Sequence, residues 1–483
     1  MDLIFEKGVS GRRGISLPKS DVPVQAEVPG PYRRQTDNHL PEVTELDVVR
    51  HFSKLSQRNF SIDTQFYPLG SCTMKYNPRF TEKAAAIPGF SELHPLLPQL
   101  KNGELLTQGA LKVLYELEQL FCAITGMDAF TLQPLAGAHG ELTGIMMIAA
   151  YHRARGHKKK YIIVPDTAHG TNPATAAIAG YETMAIPTNE HGVMDREALK
   201  QKLNQDVAGL MLTSPNTLGI FNSDIDQIAQ MVHAVGGLMY CDGANLNALL
   251  GRCRPGDIGF DVMHLNTHKT FTTPHGGGGP GAGPVGVKEK LIPYLPISRV
   301  IQKEDGTFTL NYDYPESIGY IAAFYGHFAL LLRVYAYILM LGREGLIETA
   351  NHAVLNANYI KEKLKGSYQL PYDRICMHEC VFSAQKQAAR GVHAGDIAKF
   401  LIDHDMHPPT VYFPLTVKEA LMIEPTETES KQTLDRFVEL LLKADQLSLT
   451  QPESFQDLPH HTPVCRPDEV KAARQLKVNY FAV

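Results

Sequence analysis

The sequence has no excess of either charge: 46 lysines and arginines stand against 51 aspartates and glutamates, a formal charge of −5 over 483 residues. A nucleic-acid partner usually calls for a basic excess on one face, so none is expected. Cysteine is sparse and odd in number, seven residues at positions 72, 122, 241, 253, 376, 380 and 465. That scatter fits reduced thiols in the cytoplasm rather than a disulfide framework. The opening residues Met1-Asp2-Leu3-Ile4-Phe5-Glu6-Lys7 lack the basic and apolar regions of a secretory leader. The longest apolar stretch, 318–341, contains Gly319, Gly326, His327 and Arg333, so it reads as a buried helix and not as a membrane span. Neither G-x-x-x-x-G-K-[ST] nor G-x-S-x-G occurs, which removes the P-loop and the nucleophile elbow.

What is present is an ordinary globular composition, 44% hydrophobic and 20% charged. At roughly 150 residues per domain, the length suits about three domains, or one large α/β domain with a satellite. Residues 1–40 are rich in proline, glycine and charge and read as an extended arm. Residues 44–56 carry Leu46, Val49, Phe52 and Leu55 on one helical face. Residues 67–79 (YPLGSCTMKYNPR) have no period and read as a long loop. From residue 108 short apolar runs alternate with helical patterns. Strands are expected at 129–133, 161–164, 182–186, 210–213, 238–241 and 262–266, with helices at 109–125, 141–152, 196–203 and 224–234. Such alternation means a mostly parallel sheet covered on both faces, with ligands off the carboxyl ends of its strands. Beyond residue 320 the texture becomes α+β: helices at 320–341, 346–363, 394–403 and 431–444, strands at 374–383 and 421–424. The partition expected is an arm and loop segment 1–104, a large domain 105–320, a small domain 321–450 and an extended tail 451–483. Arm and tail, with Phe5, Tyr32, Tyr480 and Phe481, are expected to wrap a partner subunit.

Polar clusters sit at the ends of the expected strands. They are Asp242-Gly243-Ala244-Asn245, Thr267-His268-Lys269-Thr270, Ala136-Gly137-Ala138-His139-Gly140 and Asp166-Thr167-Ala168-His169-Gly170-Thr171. A lysine amine in a pocket can form a Schiff base, and an acid can hold a protonated pyridine nitrogen. Small residues opening a helix leave N–H groups for a phosphate, and a histidine can lie on an aromatic ring. Pyridoxal phosphate needs all four. Singly, each has an ordinary reading as a surface lysine, a turn aspartate, a loop histidine or a plain helix start; together they favour the cofactor.

The run 276–283 (GGGGPGAG) formally contains G-x-G-x-x-G, yet it follows the lysine loop and includes Pro280, so a dinucleotide site is rejected. A mobile flap or a close backbone approach to a ligand is the better expectation. Cys376-Met377-His378-Glu379-Cys380 has ligand-type residues on alternate positions, but no second pair at zinc spacing, and is read as a buried strand without metal.

These residues resemble a known family. The segment His268-Lys269-Thr270-Phe271 with Pro274-His275 and the glycine run is similar to the cofactor-lysine segment of glycine dehydrogenase (decarboxylating), the P-protein of the glycine cleavage system. AGAHGELTG at 136–144, HGTNPA at 169–174, the loop 67–79, 242–245 and EPTE at 424–427 resemble its other signatures. Length and opening resemble the second subunit of the two-subunit form. The resemblance implies a fold-type I pyridoxal-phosphate enzyme with a mostly parallel large-domain sheet and a smaller C-terminal α+β domain. It implies glycine decarboxylation with transfer of the aminomethyl group to the lipoyl arm of H-protein, and a hetero-oligomer with two copies each of this subunit and a related first subunit. By motif, Lys269 is the Schiff-base residue, Asp242 the ring-nitrogen partner and His169 the stacking group. Gly137 and Ala138 are placed at the phosphate and Ala244 on the opposite ring face, with His268 and Asn216 as further contacts. Tyr67 and Ser71 are expected to help form the pocket for the glycine carboxylate. The alternatives are another fold-type I activity, an aminotransferase or β-lyase holding a carboxylate with Arg374, Arg390 or Arg436, or a cofactor-free partner subunit.

Overall fold

The computed structural model describes all residues except 23–27, 37, 276–280 and 481–483. The chain divides into two compact units, one of residues 1–64 with 459–483 and one of residues 65–458. In the first, the helix Glu45–Ser56 is closed at its start by Thr44, whose hydroxyl accepts the Asp47 N–H while Asp47 reaches back to the Thr44 N–H. Phe5 stacks on Tyr480 at 4.7 Å.

The second unit is built on a seven-stranded sheet. Its strands are β1 (Ala129–Thr131), β2 (Tyr161–Pro165), β3 (Glu182–Ile186), β4 (Val207–Thr213), β5 (Leu238–Gly243), β6 (Val262–Leu265) and β7 (Val285–Val287). They lie in the order β1-β7-β6-β5-β4-β2-β3, and β7 alone runs against its neighbours. Alternate residues enter two different cores. Ile163, Leu210, Leu212, Met239 and Met263 face one, and Ile162, Val164, Met211, Tyr240 and Val262 the other. A sheet buried on both faces explains why its strands read as apolar runs. A hairpin of β8 (Arg299–Gln302) and β9 (Phe308–Asn311) follows. The remaining sheet is antiparallel, β10 (Cys380–Ser383), β12 (Ala420–Ile423) and β11 (Thr410–Val411), over a core that includes Phe382, Leu401, Phe437 and Leu441. No helix among the described residues is long and apolar enough to cross a membrane.

Several expectations need correction. The helix expected from 320 begins at Phe328, because Phe324 and Gly326 take φ of 61° and 98° and break the helical path. From there to Leu364 the two expected helices follow one another, broken at Gly342, whose φ of 60° is not helical. The strand expected over 374–383 is confined to Cys380–Ser383. Its first part is diverted by the 216–219 turn, where the Met377 N–H donates to the Gly219 carbonyl at 2.7 Å. The tail is not wholly extended: Phe455 and Leu458 are buried in the second unit and Glu469–Arg474 is helical. Most of the glycine run lies outside the described residues. Its last member, Gly283, is a close backbone approach, since a Cβ there would lie 2.0 Å from the Ala136 carbonyl.

The helix Gly137–Ala154 reaches the sheet through glycines on one face. A Cβ on Gly140 would meet the His264 Cβ at 2.9 Å, and one on Gly144 the Tyr240 ring at 2.3 Å. Both ring and strand are fixed in a dense core, so added volume has nowhere to go. Gly144→Val is expected to cost about 1–3 kcal/mol, read as a lower urea midpoint; an unchanged midpoint would refute this packing.

Candidate active site

The parallel strands bring their carboxyl ends to one edge, and pairing sets a row across it. Thr213 on β4 lies opposite Asp242 on β5, and Asp242 opposite His264 on β6. Asp242 is 3% exposed. Its Oδ2 accepts from Asn172 Nδ2 at 3.2 Å and the Thr213 hydroxyl at 3.3 Å, and its Oδ1 from the Ala244 N–H at 3.1 Å. His264 Nε2 stands 3.4 Å from Oδ1, while its Nδ1 is 2.7 Å from the Tyr240 hydroxyl. Burial opposes the charge of Asp242. His264, the Lys269 charge, the Ala244 N–H and Asn172 outweigh it and hold the carboxyl below its ordinary range.

Lys269 lies in the short helix Thr267–Thr270 directly after β6 and is buried. Its amine has no hydrogen-bond or ion-pair partner among the described residues. The charge of Lys269 acts on Asp242, Glu141, Glu379, Glu424 and Cys72. The N–H groups of Gly137, Ala138 and His139 precede the first bond of their helix, Gly140 N–H to the Ala136 carbonyl, and so have no partner within it. Gly137 is buried against Asn266, whose Oδ1 would be 2.2 Å from a Cβ and has no hydrogen-bond partner among the described residues. Ala244 packs beside Asp242 as the next residue but one. His268 is buried with its ring 4.5 Å from that of His275. Its Nδ1 is unpartnered, and burial pushes it down to about 2.

Other expected residues are held by partners of their own. His169 is exposed, with Nδ1 2.8 Å from the Thr171 hydroxyl. Asn216 spends its side chain on other backbone groups, donating to the Gly192 carbonyl of the turn after β3 at 2.7 Å and accepting from the Leu218 and Ile220 N–H groups of its own loop. Tyr67 stacks on His407 at 3.5 Å. Ser71 takes φ of 60° and gives its N–H to Glu379 Oε2 at 2.8 Å. Residues without an expected role fill the site instead. Lys75 pairs with Glu427 at 2.6 Å and donates to the Thr270 carbonyl, and Thr73 is bound to Glu424. Glu141 accepts from Asn172 Nδ2 at 2.7 Å and Thr171 Oγ1 at 2.8 Å. Glu141 and Asn172 lie inside the quoted motifs, while His264 is legible only once the pairing of β5 and β6 is known.

Burial, then the charge of Asp242, push Glu141 up to about 8. A carboxyl raised in the folded chain binds more protons folded than unfolded, so its burial costs stability increasingly as pH rises through that window. Glu141→Gln is therefore expected to gain stability over the parent between pH 5 and pH 8, measured by thermal melts. An offset equal at both pH values would show that Glu141 is ionised throughout.

A model of the glycine cleavage system P-protein matches residues 21–309, and one of the glycine dehydrogenase C-terminal domain matches residues 349–451. The chain is 56% identical over 476 residues to a probable glycine dehydrogenase (decarboxylating) subunit 2 of Caldanaerobacter subterraneus subsp. tengcongensis, covering 98% of this chain and 97% of that one. It is 55% identical over 482 residues to the same subunit of Bacillus velezensis, covering 99% and 97%. Among solved structures, glycine decarboxylase (P-protein) in inhibitor-bound form superposes with a TM-score of 0.71 at 19% identity, over 86% of this chain and 93% of that one. The cysteine desulfurase CsdA from Escherichia coli follows at 0.60 and 15%, over 82% and 98%. These two likenesses carry the fold, that of fold-type I pyridoxal-phosphate enzymes. With most of its length matched by one family and near-complete relatives above half identity, the chain belongs to the glycine cleavage system P-protein family.

Proposed function

We propose that the chain binds pyridoxal 5'-phosphate through Lys269 and decarboxylates glycine, passing the aminomethyl group to a lipoylated H-protein. The observation that carries this is one sheet edge holding an unpartnered buried amine, a buried carboxylate kept charged, and the open start of an 18-residue helix. The residues fit the cofactor. Lys269 Nζ would hold its aldehyde carbon, Asp242 a proton on its ring nitrogen, and the N–H groups of Gly137 and Ala138 its phosphate. Ala244 and His169 would flank the ring, and the unpartnered Asn266 Oδ1 and His268 Nδ1 leave polar capacity beside it. When bound, the cofactor supplies an electron-poor ring that takes up the pair left as CO2 departs.

The protein's part is to orient and to withhold. Glycine's carboxylate enters a site whose other carboxylates are Asp242, Glu141, Glu379 and Glu424. A tight cationic clamp would stabilise the bound carboxylate more than the departing CO2 and slow the reaction. Two of the three arginines of the aminotransferase alternative are engaged elsewhere, Arg374 donating to the His191 carbonyl at 3.0 Å and Arg390 to Asp445 at 2.9 Å, and the third, Arg436, is exposed. No observation favours that alternative. Tyr67 and Ser71, on the loop whose Cys72 feels the Lys269 charge, border the space for substrate. The reading includes a related first subunit, two copies of each, and a cytoplasmic site of action, which the seven unpaired cysteines support.

Borohydride treatment of the cofactor-loaded protein should fix the cofactor to one lysine, found at position 269 by peptide mapping. Lys269→Ala should lower CO2 release from glycine on the order of 10³-fold or more. A label elsewhere, or full activity in that variant, would end this reading.

A further inference from the structure

In the second sheet Cys380 lies opposite Ile423, so the residues before β10 and after β12 emerge together. These are His378, Glu379 and Glu424, each 0% exposed, with one ring nitrogen and one oxygen from each carboxylate all within 4.8 Å of one another. His378 Nε2 is 3.4 Å from Glu379 Oε1. Glu424 is well supplied with donors: the Thr73 N–H at 3.0 Å, the Thr73 hydroxyl, and Asn247 Nδ2 at 3.4 Å. Glu379 receives only the Ser71 N–H on Oε2. Its Oε1, and both ring nitrogens of His378, have no hydrogen-bond partner among the described residues. Such atoms are costly to bury and mark a place where something else is meant to bind.

Two carboxylates this close and out of water do not both ionise; one keeps a proton. Burial raises both acids, and the donors to Glu424 oppose it there, which leaves the proton on Glu379. Burial and then the charge of Glu424 push Glu379 up, and burial pushes His378 down to about 3, so the ring is neutral. The groups facing Glu379 are Glu424, Lys269, His378 and Cys376, with Cys72 across the loop and Lys75 acting on Glu424. Read as a metal site, the cluster would offer three ligands, with most carboxylate oxygens already taken by Ser71, Thr73 and Asn247.

We propose that Glu379 is the proton donor of the transfer half of the reaction, with Glu424 and His378 keeping that proton in place. This rests on the reading that Lys269 carries the cofactor and glycine is decarboxylated. As the carbon–carboxylate bond of glycine breaks, its electron pair stays with the aminomethyl carbon. That carbon bonds to one sulfur of a cyclic disulfide, the S–S bond breaks, and the second sulfur leaves with the bonding pair. Glu379 Oε1 gives its proton to that sulfur, forming a thiol, and regains one from solvent after product leaves. The disulfide is reduced by the electrons of the broken carbon–carbon bond, so no outside reductant is needed.

The test uses the cofactor-loaded enzyme assembled with its partner subunit, with glycine and lipoamide as the disulfide. Glu379→Gln should lower thiol formation on the order of 10²-fold or more, with the KM for glycine changed by less than about threefold; the parent's rate should fall at alkaline pH as Glu379 loses its proton, and the variant's should not. Infrared spectra of the cofactor-free parent chain carrying ¹³C-glutamate give a second readout: protonated carboxyl absorption at neutral pH, to which Glu141 also contributes, that is weaker in Glu379→Gln. Thiol formation and a pH profile like the parent's, or identical infrared bands, would overturn the proposal. If borohydride labels Lys269 in the parent and these results still fail, the proton donor alone is wrong; if Lys269 is not labelled, the cofactor reading itself falls.

Discussion

A negative charge held inside a sheet is the constraint on which the rest of this site depends. Asp242 is almost fully buried, and an unpaired carboxylate there would cost several kcal/mol. The chain meets that cost by geometry spread over many elements. Strand pairing places Thr213 and His264 on either side, the turn after β5 returns the Ala244 N–H, and the helix Thr171–Ile178 brings Asn172. Tyr240 stands behind His264; burial pushes its phenol up, so it stays protonated and can donate to His264 Nδ1. That leaves Nε2 as the N–H side of the ring, facing the carboxylate. The glycines of the helix Gly137–Ala154 belong to the same solution, since a bulkier face would lift its N–H-bearing start away from this edge.

The same physics divides the acids into two kinds. Asp242 and Glu141 share the amide of Asn172, yet the first is held ionised and the second is pushed toward the neutral acid. Glu424 and Glu379, on the side of the second sheet, differ in degree: burial raises both, and the donors crowded on Glu424 oppose it there while Glu379 has only the Ser71 N–H. Around one buried lysine, the number of donors to each carboxylate decides which can act as a fixed charge and which can carry a proton. Burial alone would have pushed all of them the same way.

Much of the scaffold was legible because its causes are local. Residues 182–186 and 394–403 have the bounds expected of them, as an edge strand and an amphipathic helix. The cluster of Lys269, Asp242 and the Gly137 helix start was legible for a related reason, since strand ends in a parallel sheet converge by topology. What escaped depended on the third dimension. Residues 320–327 are apolar enough for a helix, but positive φ at Phe324 and Gly326 stops one. His264 matters because it is opposite Asp242, not because of its distance along the chain. Glu379 and Glu424 lie far apart in sequence and meet only through the pairing of β10 with β12. Asn216 is assigned by the family resemblance, and only its hydrogen bonds to Gly192, Leu218 and Ile220 show its amide to be spent.

The loop at residues 66–79 shows how far these acids shape the backbone. Ser71 and Thr73 take φ of 60° and 53°, left-handed conformations that cost a non-glycine residue about 1–2 kcal/mol each. Their N–H groups are the ones received by Glu379 and Glu424. Leu69 bridges to Ile423, beside the same strand end, and Lys75 is fixed between Glu427 and the Thr270 carbonyl, next to Lys269. The loop is thus held in an unfavourable conformation by two carboxylates, of which Glu379 would change its protonation in the proposed reaction. A proton leaving Glu379 strengthens its hold on the Ser71 N–H, because a charged acceptor binds a donor more tightly than a neutral one. The charge state of the acids and the position of the loop are therefore one variable, and substrate that alters the first must move or tighten the second.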